Sequence, residues 1–153
     1  MKVCIGGAFD ILHKGHKKLL EKSFEIAGKN GFVYIGLTKE KIFDKKKDIR
    51  PFDERKKAIE QFLSDKKWLN RSEIIPISNR FGLAVNEDYD AIVVSPESRK
   101  VAKEINEERI KKDKKALKIV EVPYVLADDG IRISSTRIKR KEIDENGHIL
   151  GKD

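Results

Sequence analysis

Sulfur and tryptophan are nearly missing from this chain of 153 residues, which has one cysteine, one methionine and one tryptophan. A single cysteine excludes an internal disulfide and a cysteine-based metal cage, and the expectation is a reducing, cytoplasmic location. Cys4 lies in the first apolar run, where a small core residue is expected rather than a nucleophile. No stretch approaches the roughly 20 apolar residues of a membrane-crossing helix, so no membrane partner is expected. The core pattern begins at Val3, which leaves no room for a signal peptide. Repeats, low-complexity tracts and internal linkers are also missing, and the length suits one domain over residues 1–153.

Charge is what the chain has in quantity: 34 Lys and Arg against 26 Asp and Glu, a net charge of +8, with 39% of residues charged. Such a balance suits a polyanionic partner, a nucleotide or a nucleic acid. It equally suits the Lys- and Glu-laced surface of a protein from a hot habitat. The run Arg137-Ile138-Lys139-Arg140-Lys141 prompts a nucleic-acid-binding alternative. Basic residues are dispersed among acids without interleaved aromatics, however, and no nucleic-acid partner is expected.

Apolar runs alternate with amphipathic stretches along the chain. Strands are expected at Val3–Ile5, Phe32–Leu37, Ile74–Ile77, Ala91–Ser95 and Lys118–Pro123, the fourth of them central. Helices are expected over Lys17–Ala27, from an Asp53 cap through Leu63, and from a Ser98 cap over Lys100–Lys114. This alternation calls for an α/β, Rossmann-like doubly wound sheet of about five parallel strands with helices on both faces. Strand C-termini then share one edge, which makes Thr38 a candidate ligand contact. The polar tail 142–153, with a turn at Asn146-Gly147, is expected to be partly disordered.

Chemistry concentrates at the first turn, Gly6-Gly7-Ala8-Phe9-Asp10-Ile11-Leu12-His13-Lys14-Gly15-His16. Two glycines after a strand let a ligand approach the backbone. The helix that follows is expected to offer free N–H groups and its positive dipole end, a phosphate-sized anion site. His13 and His16 are close enough in sequence to face one spot. Near the other end, Ile133-Ser134-Ser135-Thr136-Arg137-Ile138-Lys139-Arg140 places hydroxyls and cations at a helix start.

The pair of motifs resembles that of the nucleotidyltransferase superfamily, His-x-Gly-His and Ile-Ser-Ser-Thr-x-x-Arg, with a departure at the last position. The resemblance implies that His13 and His16 bind a triphosphate and steady the transferring phosphorus. It implies that Ser134, Ser135 and Thr136 cradle the β- and γ-phosphates with Lys139, where the family usually has Arg. Arg137 and Arg140 flank that position, and which of the three grips phosphate stays open. Ala8 stands where many members carry a threonine that contacts the reacting phosphate. A loop lysine reaches the phosphates of both substrates in the family: Lys46 aligns best, beside Lys45 and Lys47, with the arginine of the following helix, Arg55, packed nearby.

The segments 6–10, 45–55, 75–77, 81–82, 92–98 and 105–109 are most similar to phosphopantetheine adenylyltransferases of the archaeal type. That resemblance implies transfer of AMP from ATP, with Mg²⁺, to 4′-phosphopantetheine. The catalytic set it implies is His16, His13 and Lys46. The nucleotide-binding set is Gly6, Gly7, Ala8, Phe9, Asp10, Gly15, His16, Ser95, Glu97, Ser134, Ser135, Thr136 and Lys139. Ala8, Thr38, Lys46 and Arg80 are assigned to the acceptor. Asp10 orders the loop, approaches the metal or serves as a purely structural cap, and no residue is assigned as a protein metal ligand. Alternatives within the superfamily are another acceptor, nicotinamide mononucleotide or FMN, or CTP as donor.

Overall fold

The computed structural model describes residues 1–39, 48–79, 81–82 and 84–151. Lys45, Lys46, Lys47 and Arg80 lie outside the described residues.

Val, Ile and Leu at alternate or consecutive positions produce five strands: β1 (Lys2–Gly7), β2 (Phe32–Thr38), β3 (Ser72–Ile77), β4 (Ala91–Val94) and β5 (Lys118–Glu121). All pair in parallel, in the order β3-β2-β1-β4-β5. The middle of the sheet is therefore β1; β4, expected there, is one place over, although all four of its residues are buried. Parallel pairing demands crossovers, supplied by helices α1 (Lys14–Ala27), α2 (Phe52–Asp65) and α3 (Arg99–Lys111). Leu20 and Phe24 of α1 pack with Ile59 and Leu63 of α2 on Val3, Ile5, Val33 and Ile35. Ala102 and Ile105 of α3 pack on Cys4, Ile92 and Val94 of the opposite face. The doubly wound arrangement is as expected. Cys4 is a buried core residue whose thiol burial pushes up to about 12, which rules out a nucleophilic thiolate at neutral pH.

Several local expectations are corrected. Gly6 and Gly7 are the last residues of β1 rather than loop, with Gly6 directly opposite Gly36 of β2. Helix α1 starts three residues earlier than expected because His13 caps it. Pro51, not Asp53, precedes α2; Asp53 sits in the first turn, where its charge opposes the dipole's positive end. Ser98 precedes α3 without a side-chain cap, its Oγ instead lying 3.3 Å from Ser95 Oγ. The segment 142–150, expected as a partly disordered tail, folds back at Asn146-Gly147 so that Ile143 bridges Ile149 and is wholly buried with Ala127 and Ile133. Glu145 O then accepts from Lys14 N at 2.9 Å, clipping this hairpin to the start of α1.

Two arginines are core elements. Arg55 donates to the carbonyls of Arg50 (2.8 Å), Ala8 (2.9 Å) and Thr38 (2.8 Å), tying α2 to the chain just beyond β1 and to the last residue of β2. Arg109 donates to those of Lys115 (2.8 Å), Ala84 (2.8 Å) and Glu87 (2.6 Å). Carbonyls left unpaired away from bulk water are costly, and each buried guanidinium donates to three among the described residues.

Candidate active site

The loop leaving β1 is built around Phe9, which takes a left-handed backbone (φ 46°) rarely adopted by bulky residues and is held there by burial. Its ring reaches His16, 5.2 Å between centroids. His13 Nδ1 accepts from the backbone N–H of Gly15 (3.0 Å) and His16 (3.4 Å), while His16 Nδ1 accepts from His13 N (3.3 Å). The two rings stack at 3.8 Å. Gly15 is required by this packing, because a Cβ there would lie 2.8 Å from His13 Cε1.

One expectation therefore fails. The N–H groups of the first turn of α1 are not free: Lys14 donates to Glu145, Gly15 and His16 to the His13 ring, and Lys17 to His13 O. What borders the cleft is the imidazole pair. With Nδ1 of each ring accepting, the network assigns the neutral tautomer that carries its proton on Nε2. Burial pushes His13 down to about 3, aided by His16 and Arg132. Burial likewise pushes His16 down to about 4, against the backbone of Ile11 and the charge of Asp10. At neutral pH the pair supplies two uncharged N–H donors.

The second motif meets the first. Ser134 caps the short helix α4 (Ser135–Lys139), accepting from Arg137 N at 3.3 Å. Ser135 Oγ accepts from Ile11 N at 3.3 Å. His13, Gly15, His16, Ser95, Glu97, Ser134, Ser135 and Thr136 line one cleft of about 250 Å³, with Tyr124 and Arg132 on its wall. Gly6, Gly7 and Thr38 line a second cavity, also about 250 Å³, with Ile75, Ile77 and Phe81. Leu19 and Ser95 border both.

Ala8, Phe9, Asp10 and Lys139 line neither space. Ala8 offers its carbonyl to Arg55, and Phe9 supports the His16 ring. Asp10 is buried, accepts from Arg50 N at 3.0 Å through Oδ1, and pairs through Oδ2 with Lys139, which also donates to Asp48 O. Of the three cations left open at the end of the motif, Arg137 is bound into the fold by Asp129, Glu142 and the carbonyls of Ile131 and Arg132. Lys139 is the one paired with the first-motif loop. Lys46 and Arg80 fall among the residues not described.

Sequence reading overlooked Arg132 and Tyr124. The available signal was spacing: in an extended segment Arg132 shares a face with Ser134, two residues on.

A model of cytidylyltransferase-like proteins matches residues 4–141. A phosphopantetheine adenylyltransferase of Methanosarcina acetivorans is 46% identical over 149 residues, covering 97% of this chain and 95% of its own length. That of Methanosarcina barkeri is 44% identical over 149 residues, covering 97% and 92%. A solved Archaeoglobus fulgidus protein of unknown function superposes with a TM-score of 0.71 at 32% identity, covering 80% of this chain and 89% of its own. The tyrosyl-tRNA synthetase of the same organism superposes with a TM-score of 0.63 at 13% identity, covering 89% of this chain and 59% of that one, a likeness of fold alone. The chain belongs to the cytidylyltransferase-like family, in the group of the archaeal phosphopantetheine adenylyltransferases.

Proposed function

We propose that this chain moves AMP from ATP to 4′-phosphopantetheine, giving dephospho-CoA and pyrophosphate, a step of coenzyme A synthesis in the cytoplasm. One observation carries the reading: Ser135 and Ile11, 124 residues apart, are in hydrogen-bonding contact. That contact brings paired imidazoles and a hydroxyl cluster to one cleft, in a chain whose relatives bear the name of this activity over nearly their full length.

An oxygen of the acceptor's phosphate attacks the α-phosphorus of ATP in line, the bond to the bridging oxygen breaks, and pyrophosphate departs. No covalent enzyme intermediate is required, so the protein's task is positioning and charge stabilisation. Neutral His13 and His16 donate Nε2–H to the α- and β-phosphates. The arriving anion raises their affinity for protons and strengthens those bonds as charge develops. Ser134, Ser135 and Thr136 hold the outgoing pyrophosphate, while Lys139 stays paired with Asp10. Gly6 and Gly36 leave the strand ends bare, and Ile75, Ile77 and Phe81 give the second cavity apolar walls that suit the acceptor's aliphatic amide arm. The common border at Leu19 and Ser95 supports a meeting point for the two phosphates.

Mg²⁺ bound with the nucleotide would supply neutralisation of phosphate charge. Asp10 does not fit a metal-ligand role, since Lys139 and Arg50 N already occupy its carboxylate. The assignment is tested by pyrophosphate release from ATP or CTP, with Mg²⁺, against 4′-phosphopantetheine, nicotinamide mononucleotide and FMN. Fast release is expected with ATP and 4′-phosphopantetheine; faster release with CTP or another acceptor overturns the substrate assignment.

A further inference from the structure

One cation of the cleft belongs to neither motif. Arg132 lines the space shared by His13, His16 and Ser134. Its Nη1 lies 3.3 Å from Glu97 Oε2, and its guanidinium sits 4.6 Å from the centroid of the Tyr124 ring. Glu97 follows β4 and Tyr124 follows β5, so the side chain spans the cleft between two strand ends. Its charge reaches His13, where it adds to burial and to His16 in keeping that imidazole neutral. The side chains of Arg132 and Glu97 are 42% and 71% exposed, which makes their ion pair weak and exchangeable. Phosphate is the better partner for a planar fork of donors, and the stack on Tyr124 holds that fork in place.

Resting on the nucleotidyltransferase reading, we propose that Arg132 is a further nucleotide-positioning residue. Its guanidinium exchanges the Glu97 carboxylate for a phosphate of the bound nucleotide while remaining stacked on Tyr124. Glu97, assigned from sequence to nucleotide binding, acts through Arg132 as the displaced counter-ion.

The test is ATP affinity by calorimetry together with steady-state kinetics on the full chain. R132Q is expected to weaken ATP binding and raise KM for ATP by roughly tenfold or more, the worth of a charge-assisted contact. Its kcat and its KM for the acceptor should stay within about twofold, since uniform binding alone is lost. R132K should recover only part of the affinity. E97Q should tighten ATP by roughly threefold, because an exposed competing ion pair is removed. Unchanged ATP affinity in R132Q, whatever its melting temperature, overturns the role. Weakening by E97Q to the same degree as R132Q also overturns it, because the carboxylate then serves the nucleotide itself. Absence of ATP binding by the wild-type chain defeats the assignment of ATP as donor instead.

Discussion

Ser135 Oγ accepts a hydrogen bond from Ile11 N at 3.3 Å across 124 residues of chain. This contact registers the hydroxyl cluster of α4 against the imidazole pair of α1. S135A is expected to lower unfolding stability by about 1 kcal/mol, the net worth of one hydrogen bond. It should also weaken ATP binding, whereas S135T keeps the hydroxyl and most of both. Urea unfolding with ATP titration checks this; full ATP affinity in S135A would contradict it.

The two histidines separate by variant. H16A gives up one hydrogen bond from His13 N and should cost about 1 kcal/mol of stability. Its kcat should fall about 10²–10³-fold, as for loss of one donor to the transition state. H13A should lose turnover and also about 1 kcal/mol of capping. H13N restores a capping side chain without the ring, so its melting temperature should recover and its turnover should not.

Acid stability follows from the same pair. Both residues hold protons less tightly in the folded chain, at about 3 and about 4, than at the ordinary 6.5 of the unfolded one. Between those values the unfolded state binds more protons, so stability rises with pH and is complete above about 6.5. Melting temperature should fall as pH drops from 6.5 towards 5, before carboxylates titrate. The H13N/H16Q double variant should flatten that limb; an undiminished slope would locate the titration elsewhere.

The buried arginines give a paired experiment. R55M and R109M each strand three carbonyls and should each cost about 2–4 kcal/mol in denaturant unfolding. Only R55M touches Ala8, Thr38 and Arg50, next to the site, and only it should also lower kcat/KM in the folded population. R109M acts at Ala84, Glu87 and Lys115 and should leave KM for ATP unchanged.

G15A places a methyl 2.8 Å from His13 Cε1 and must turn that ring. Alanine favours helix over glycine by up to about 1 kcal/mol, so melting should change little while turnover falls. Wild-type activity in G15A would show that the ring position does not matter.

The sheet was legible in the sequence because Val33, Ile35, Ile92 and Val93 carry its buried pattern locally. The convergence of the two motifs was legible too, since right-handed crossovers bring strand ends to one edge. What escaped notice depended on tertiary partners. An imidazole rather than a hydroxyl caps α1, so the start of the helix read three residues late. Ser98 has the chemistry of a cap but faces Ser95 instead. Arg109 looks like one more surface charge until Ala84 and Glu87 fold over it. Ile143 lies in a polar stretch, and its burial depends on Ala127 and Ile133 meeting it there. Arg132 carries no motif, and what places it is the Tyr124 ring, which follows another strand end, with Glu97 as its exchangeable partner.

Leu19 and Ser95, common to the walls of both chambers, set a leucine and a hydroxyl as the threshold between them. Solvent that reaches one chamber has only that threshold to cross into the other. On the proposed assignment, a guest seated on the acceptor side would exclude water from the approach to the α-phosphorus and so limit wasteful hydrolysis of the donor.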